Sequence, residues 1–229
     1  MFKRKLSYLT IAALVLCASY LGAGDIASFV DLGFSLDGRT YMFAQYGVQS
    51  ETLKPWADLF VVDVARNDFV SGGRVSYTHT APVIPGQDGA GALYRLITQN
   101  TALAEQYGIN FLLQGPPLYI SLENNFDSPV TAIEFRNFEQ NISYHATLIP
   151  HTGEGGSSFY IDLERTAPDG SKKTYVVGNA QIKRTSVSSY GIKKVICSPQ
   201  DGFMIFVIEM KRPNKSSFDV RYMVETLRL

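Results

Sequence analysis

The sequence predicts a β-dominated α+β fold, in which antiparallel, sandwich-like sheets accompany one main helix. Two observations lead to this prediction. Many runs rich in β-branched and aromatic residues are bounded by turn residues, and some alternate apolar with polar side chains, as half-buried strands do. A single segment, at about 90–107, instead repeats its apolar residues at helical spacing. Hydrophobic residues make up 45% of the chain, which is enough to bury a substantial core.

The chain begins with a segment typical of a secretory signal peptide. Basic residues at 3–5 precede an almost uncharged apolar stretch, and small residues follow at 22–24. These are the parts of a secretory signal, and the apolar stretch is shorter than the roughly 20 residues that a membrane span requires. We therefore predict a signal peptide at 1–24, cleavage between Gly24 and Asp25, and an exported protein, periplasmic or secreted, with no membrane span after cleavage.

The two cysteines predict a mature chain without an internal disulfide. Cys17 lies within the signal, and bulky Leu16 precedes it where a lipoprotein signal has a small residue, so an ordinary apolar role is favoured over lipidation. Cys197 then remains alone, although exported proteins commonly form disulfides. Because it lies in an apolar, strand-like run, a buried inert thiol is favoured over a catalytic or intermolecular one.

The charge balance argues against two classes of partner. The chain has 21 Lys and Arg and 21 Asp and Glu, and its first 24 residues contain three of the basic residues and none of the acidic ones. The mature chain is therefore slightly acidic. A nucleic-acid-binding surface needs basic residues to neutralise phosphates, and docking on anionic lipid needs them too. We predict no nucleic-acid partner.

Strand-like runs follow one another along most of the mature chain. In the clearest of them, Phe159, Ile161 and Leu163 alternate with polar residues, and the turn at 168–171 leads into a return strand. The predicted strands are 40–46, 58–64, 143–149, 159–164, 173–178, 190–198, 203–210 and 220–229. Because no long linker interrupts these runs, we predict a single β-rich domain at 25–229.

The predicted helix at about 90–107 has one apolar stripe. Leu93, Leu96 and Ala104 fall on the same face at helical spacing, and Gly108 follows as a C-terminal stop. The other faces carry polar residues. The helix is therefore expected to pack one side on a sheet.

A short turn pattern occurs near both ends of the mature chain. Each copy joins two apolar strands, and its Asp can cap the turn amides while its Gly adopts a left-handed conformation. The turn-forming residues are Ser35, Asp37 and Gly38 in the first copy and Ser198, Asp201 and Gly202 in the second. The pattern resembles blades of periplasmic β-propellers that contain a Ser-Pro-Asp-Gly turn. Because a closed propeller typically needs about four or more blades, a small or incomplete β-propeller is the alternative to the sandwich-like fold.

A longer set of motifs is similar to a known family. The stretches Phe29–Gly38, Phe43–Gly47 and Val62–Val70, together with Glu105–Ile109 and Tyr222–Leu227, resemble a family of predicted secreted bacterial proteins, domain of unknown function 2259. The resemblance extends over nearly the whole mature chain and implies secretion and a single domain. It implies no activity, ligand, cofactor or catalytic residue.

The sequence contains no motif that defines a reaction. It has no Gly-x-Ser-x-Gly elbow, and His79, His145 and His151 lack the spacing of metal ligands. The glycine-rich segment at 86–91 lacks the Lys and Ser or Thr of a phosphate-binding loop. We therefore predict no cofactor and no metal, which favours a protein that is not an enzyme.

Four residues are candidates for a binding surface. Trp56 lies beside Pro55 and either stacks on a sugar or a partner or covers the edge of the core. Asp63 and Asp68 flank a short turn, where they act as turn caps or, in the sharper hypothesis, as a loop cation site or a glycosidase-like pair. His79 completes the set, although a lone histidine in such a place is usually structural or exposed.

These observations favour a non-enzymatic binding or envelope-assembly module of the bacterial envelope, with an envelope protein or a cell-wall component as its partner. This hypothesis depends on analogy with other β-rich exported domains. The alternative is a hydrolase that acts on envelope glycans or peptides through carboxylates, which a deep pocket with two carboxylates of perturbed pKa would favour. A structural subunit of an envelope assembly is the third hypothesis, and it predicts an exposed sheet edge at Val220–Leu229.

Overall fold

The computed structural model describes most of the chain after the signal segment. The described residues are 24–84, 86–122, 126–199, 202–214 and 217–229. The predicted signal peptide, with Cys17, lies outside them except for Gly24, and so does Asp201 of the second turn pattern. Across these ranges, no helix is long and apolar enough to span a bilayer.

The described residues form three antiparallel sheets, which we name by their positions in a stack. The front sheet contains, in spatial order, β4 (Asp68–Thr78), β3 (Pro55–Asp63), β2 (Thr40–Val48), β1 (Ser28–Ser35) and β5 (Ile109–Asn110). The central sheet contains β13 (Ser217–Arg228), β12 (Phe203–Asn214), β11 (Ser189–Cys197) and β6 (Pro117–Ile120). The rear sheet contains β10 (Lys172–Gly178), β9 (Gly156–Thr166), β8 (Ile142–Gly153) and β7 (Ala132–Asn137). The helices are α1 (Ala90–Gln99) and α2 (Thr101–Gln106). The predicted β-dominated, antiparallel fold class is confirmed.

Strand β12 shows why the central sheet is the middle layer. Met204, Phe206 and Ile208 pack into the core shared with the rear sheet, whereas Ile205 and Val207 pack into the core shared with the front sheet. All five side chains are fully buried. Successive side chains of a strand point to opposite faces, so this uninterrupted apolar run suits a strand that lies between two layers.

The front sheet is also covered on both faces. In β2, Tyr41 and Phe43 belong to the core shared with the central sheet, whereas Met42 packs into a second core with the helices. Leu93 and Leu96 of α1 supply most of that cover, and both are buried. The apolar stripe of the helical segment therefore packs on a sheet, as its spacing predicts.

The rear sheet has one buried side and one side that faces solvent. In β8, Tyr144, Ala146 and Leu148 are buried, whereas the His145 side chain is 51% exposed and the neighbouring Glu134 side chain 85%. Because helices cover the outer face of the front sheet and solvent meets that of the rear sheet, the stack is open. The three sheets do not close into a propeller ring.

The helical segment lies where the sequence predicts it, but it is broken at Asn100 into two short helices. The side-chain amide of Asn100 donates to the carbonyl of Leu96 at 2.8 Å. Its backbone N–H bonds the carbonyl of Ile97 instead, which is one residue closer than helix geometry requires. Asparagine competes for backbone groups in this way, and an apolar stripe does not reveal it.

The first turn pattern joins β1 to β2 through a compact network. Ser35 donates its hydroxyl to Asp37 at 2.6 Å, Asp37 also accepts the N–H of Arg39 at 3.1 Å, and Gly38 has a φ of 68°. In the second copy, which joins β11 to β12, Gly202 has a φ of 101°. The two turns therefore serve hairpins of different sheets.

Cys197 lies at the end of β11, within the predicted strand 190–198. It forms no disulfide with another described residue. Its side chain is half-buried, so the thiol is less enclosed than the apolar run predicts.

Candidate functional site

A cleft of about 860 Å³ opens between the front sheet and the edge of the central sheet. We call it the aromatic cleft. It is larger than two other clefts, of about 550 and 300 Å³. Strand β13 ends the central sheet, while the front sheet continues through β3 and β4. The front-sheet strands β2, β3 and β4 line one side of the cleft, and β12, β13 and the loop between β10 and β11 line the other. Its main lining residues are Phe43, Gln45, Asp58, Phe60, Asn67, Asp68, Phe69, Arg74, Lys183, Arg184, Arg212, Arg221, Tyr222 and Glu225.

A row of three phenyl rings runs along the front-sheet wall of the aromatic cleft. Phe43 stacks on Phe60 with ring centroids 4.8 Å apart, and Phe60 contacts Phe69 at 5.7 Å. Phe43 is 1% exposed and Phe69 is 39% exposed, so the row leads from the core to the surface. The guanidinium of Arg74 lies over the Phe69 ring, 5.0 Å from its centroid. The wall thus offers an apolar surface beside a cation.

Side chains of the front sheet occupy the backbone edge of β13. The N–H of Tyr222 donates to Gln45 Oε1 at 2.8 Å, and the N–H of Thr226 donates to Asn67 Oδ1 at 2.8 Å. Gln45 is held in place by its own bond to Asp58 at 3.1 Å. At these positions the edge of Val220–Leu229 is therefore not open to another strand, unlike the edge expected of a structural subunit.

Glu225 joins two surface segments at the inner end of the aromatic cleft. Its side chain is 6% exposed and accepts a hydrogen bond from Arg184 at 3.0 Å. Its other oxygen accepts a hydrogen bond from the Asn67 side chain. Burial raises the pKa of Glu225, and the bond from Asn67 and the charge of Arg184 oppose part of that rise. Glu225 therefore ties the β10–β11 loop and the β3–β4 turn to β13.

The cleft carries more positive than negative side chains. Its cations are Arg74, Lys183, Arg184, Arg212 and Arg221, and its carboxylates are Asp58, Asp68 and Glu225. Two of the cations are paired: Arg184 with Glu225, and Arg221 with Asp25, which does not line the cleft. The other three, Arg74, Lys183 and Arg212, are exposed. A concave surface with such an excess attracts anionic groups.

Trp56 is part of the core. It is 6% exposed, and its indole N–H donates to Asp25 Oδ2 at 2.8 Å. Arg221 also bonds Asp25 Oδ2 at 2.8 Å, and its guanidinium lies 4.1 Å from the centre of the indole. Of the two roles that the sequence leaves open for Trp56, the structure shows the one at the core edge, and the ring is not available for stacking on a sugar.

Asp63 and Asp68 lie opposite each other in the β3–β4 hairpin. Asp63 caps the turn by accepting the N–H groups of Ala65 and Arg66 at 3.1 and 3.0 Å. Asp68 is exposed and lines the aromatic cleft, which Asp63 does not. Within the described part of the chain, no group of three or more His, Cys, Asp and Glu side chains is arranged to hold a metal ion.

His79 lies in a different cleft, of about 300 Å³, beside α1. Its Nδ1 is 2.8 Å from the hydroxyl of Tyr77, and Arg95 lies over the Tyr77 ring at 5.1 Å. The structure therefore distributes the four candidate residues among the core, a turn cap, the aromatic cleft and this smaller cleft. They do not form one surface.

The third cleft, of about 550 Å³, contains a buried ion pair that the sequence patterns do not predict. Asp31 has a side chain that is 9% exposed and lies 3.5 Å from Lys194. Burial raises the pKa of Asp31, and Lys194 opposes the rise.

Asp25, Asp31 and Glu225 share one signal in the sequence. Each is an acidic residue next to or within an apolar, strand-like run. Buried charges require partners, so an acid at such a position indicates an internal ion pair, even though the sequence does not show which cation supplies it.

One comparison with known proteins gives a match. A family model described as a predicted secreted protein, DUF2259, matches residues 42–228. No curated protein and no solved structure matches the chain. The match begins within β2, so Phe29–Gly38 lies outside it, but it includes the walls of the aromatic cleft from β2 to β13. The chain therefore belongs to the DUF2259 family of predicted secreted proteins.

Proposed function

We propose that the protein is an exported, non-enzymatic binding module, a single domain at 25–229, whose aromatic cleft holds an acidic and partly apolar peptide segment of another envelope protein. The main support is the row of phenyl rings that leads from the core to the surface at Phe69, with Arg74 above it. Rigid aromatic rings and arginine are the side chains that contribute most at binding surfaces. The cleft volume of about 860 Å³ is in the range of ligand sites.

The excess of cations in the cleft favours an acidic ligand. Exposed Arg74, Lys183 and Arg212 are placed to meet carboxylates, while the phenyl rings meet apolar side chains. The envelope offers cell-wall glycans as well as proteins, and glycan strands stack on exposed rings too. A peptide is favoured here because the aromatic wall is adjacent to several charged groups rather than to an open indole.

The test is recovery of crosslinked partners from cells that export variants of the cleft. We expect Phe69→Ala and Arg74→Ala each to reduce the recovered partner by about 5- to 30-fold, as loss of a binding hot spot does. Phe138→Ala and Arg136→Ala are matched controls, because that exposed pair has the same cation–π contact, at 5.8 Å, outside the cleft. Equal losses in both pairs would contradict the cleft as the binding site, and recovery of glycan alone would contradict a peptide ligand.

A hydrolase of envelope glycans or peptides is the second candidate. Burial raises the pKa of Glu225 in the cleft, which is the property that a general acid needs. Both oxygens of Glu225 are engaged by Arg184 and Asn67, an arrangement suited to holding segments together. Hydrolysis of cell-wall fragments by the mature protein, lost in Glu225→Gln, would favour the enzyme; partner binding without hydrolysis favours the module.

A further inference from the structure

The residue predicted to begin the mature chain is buried and bonded, whereas chain ends are usually loose. Asp25 is 5% exposed. Its carboxylate accepts hydrogen bonds from Trp56 of β3 and Arg221 of β13, both at 2.8 Å. Its carbonyl accepts hydrogen bonds from the N–H of Val220 and from Arg221, both at 2.9 Å. One residue therefore links the front sheet to the edge of the central sheet.

The backbone nitrogen of Asp25 is directed at a second carboxylate. It lies 3.2 Å from Asp219 Oδ1 and donates to it, and Asn214 donates to the same oxygen at 3.2 Å. In the uncleaved chain this nitrogen is a neutral amide with one N–H. Cleavage before Asp25 turns it into an α-amino group, which is mostly protonated at pH 7 because its ordinary pKa is about 8.

Among the described residues, the surrounding cluster has one more carboxylate than cations. Asp25 and Asp219 are its carboxylates, and Arg221 is the cation paired with Asp25. The charge of Asp219 adds to the burial that raises the pKa of Asp25. Arg212 lies opposite Asp219 in the β12–β13 register, but it forms no ion pair with it in the described structure. An α-ammonium on Asp25 would balance the cluster.

The residue before Asp25 is tightly placed. A Cβ added to Gly24 would come within 1.6 Å of the carbonyl oxygen of Phe218. The chain that precedes Asp25 can therefore leave this position only through a residue without a side chain. Cleavage before Asp25 removes Gly24 and leaves the Phe218 carbonyl beside the new terminus.

We infer that cleavage before Asp25 creates a structural charge: the new α-ammonium pairs with Asp219 and fixes β13 to the front sheet. In the cleavage step, water adds across the Gly24–Asp25 peptide bond. The new carboxyl group leaves with the signal, and the amine stays on Asp25 and takes up a proton. The cleaved protein is therefore more stable than a chain in which residues still precede Asp25.

The experiment combines the mature N-terminus with a mutant cycle. Mass spectrometry of the exported protein should show Asp25 first. Asp219→Asn should then lower the Tm of the mature form by about 2–4 °C, the shift that ~1 kcal/mol produces in a domain of this size. In a form made without export, with residues 19–24 retained, the same substitution should change the Tm by much less.

Two controls separate this ion pair from a general loss of charge. Glu164→Gln, on the exposed face of the rear sheet, should shift both forms equally. Acetylation of the α-amine in the mature protein should reproduce the effect of Asp219→Asn, and the two changes should not add. Another mature N-terminus, or an equal effect of Asp219→Asn in both forms, would overturn the inference.

Discussion

Because the central sheet is buried on both faces, truncating an isoleucine on either face of β12 should cost a similar free energy of unfolding. Ile205 and Ile208 of β12 are both fully buried, but Ile205 packs toward the front sheet and Ile208 toward the rear sheet. Replacing a buried Ile by Ala costs about 2–5 kcal/mol, from lost transfer free energy and the cavity left behind. Each substitution should therefore lower the Tm by about 4–20 °C, at about 2–4 °C per kcal/mol in a domain of this size.

Urea unfolding of the mature protein is the assay, because a lower midpoint at unchanged m reports lost stability alone. Ile84→Ala is the matched control, since Ile84 is 69% exposed and its truncation should cost under about 0.5 kcal/mol. Ile205 and Ile208 pack in different cores, so the costs of the two substitutions should add within about 0.5 kcal/mol. A cost below about 1 kcal/mol at Ile205 alone, with a full cost at Ile208, would refute the packing of the front sheet on the central sheet.

The remaining predictions concern Glu225 and two glycines. Burial raises the pKa of Glu225 above its ordinary value of 4.5. The stabilising contribution of this carboxyl group is therefore fully present below the ordinary value and is lost as the pH rises through the raised one. Glu225→Gln should gain stability relative to the wild type as the pH rises above 4.5, and unfolding curves with no such relative gain would contradict this. Gly33→Ala should cost about 1–3 kcal/mol in chemical unfolding, since Gly33 has a φ of 113° and a Cβ would lie 2.4 Å from the carbonyl of Asn110. Gly91→Ala in α1 meets nothing within 4 Å and should instead stabilise by up to about 1 kcal/mol; similar costs at both glycines would show that the close approach at Gly33 is not the cause.

Local sequence patterns predict which segments are strands better than they predict which layers pack against those strands. The alternation in β8 and β9 correctly indicates one wet face. The apolar run of β12 correctly indicates a strand, but such a run does not say which layers cover it. The sequence pattern does not predict strand β4, because Gly72 and Gly73 interrupt it. Gly72 has a φ of 70° at a register shift in the β3–β4 pairing.

The site was harder to predict because its contacts join distant parts of the chain. Trp56 and Asp25 are 31 positions apart, and Arg221 and Asp25 are 196 apart. A single sequence shows the residue types but not these pairs. Asp68 is a candidate on sequence grounds and lines the aromatic cleft, whereas Glu225 lies in a run whose pattern predicts only a strand.

Two buried acids, Glu225 in the aromatic cleft and Asp25 outside it, both hold β13 in place. Asp25 fixes one end of β13 to Trp56 of the front sheet, and Glu225 fixes the other end to the β3–β4 turn through Asn67. Between them, Gln45 bonds the backbone of Tyr222. Burying charges costs free energy that hydrophobic packing would not, so the gain must lie in fixing the position of β13. If the aromatic cleft binds a peptide as proposed, a wall held in this way is already ordered and loses less entropy when the ligand arrives.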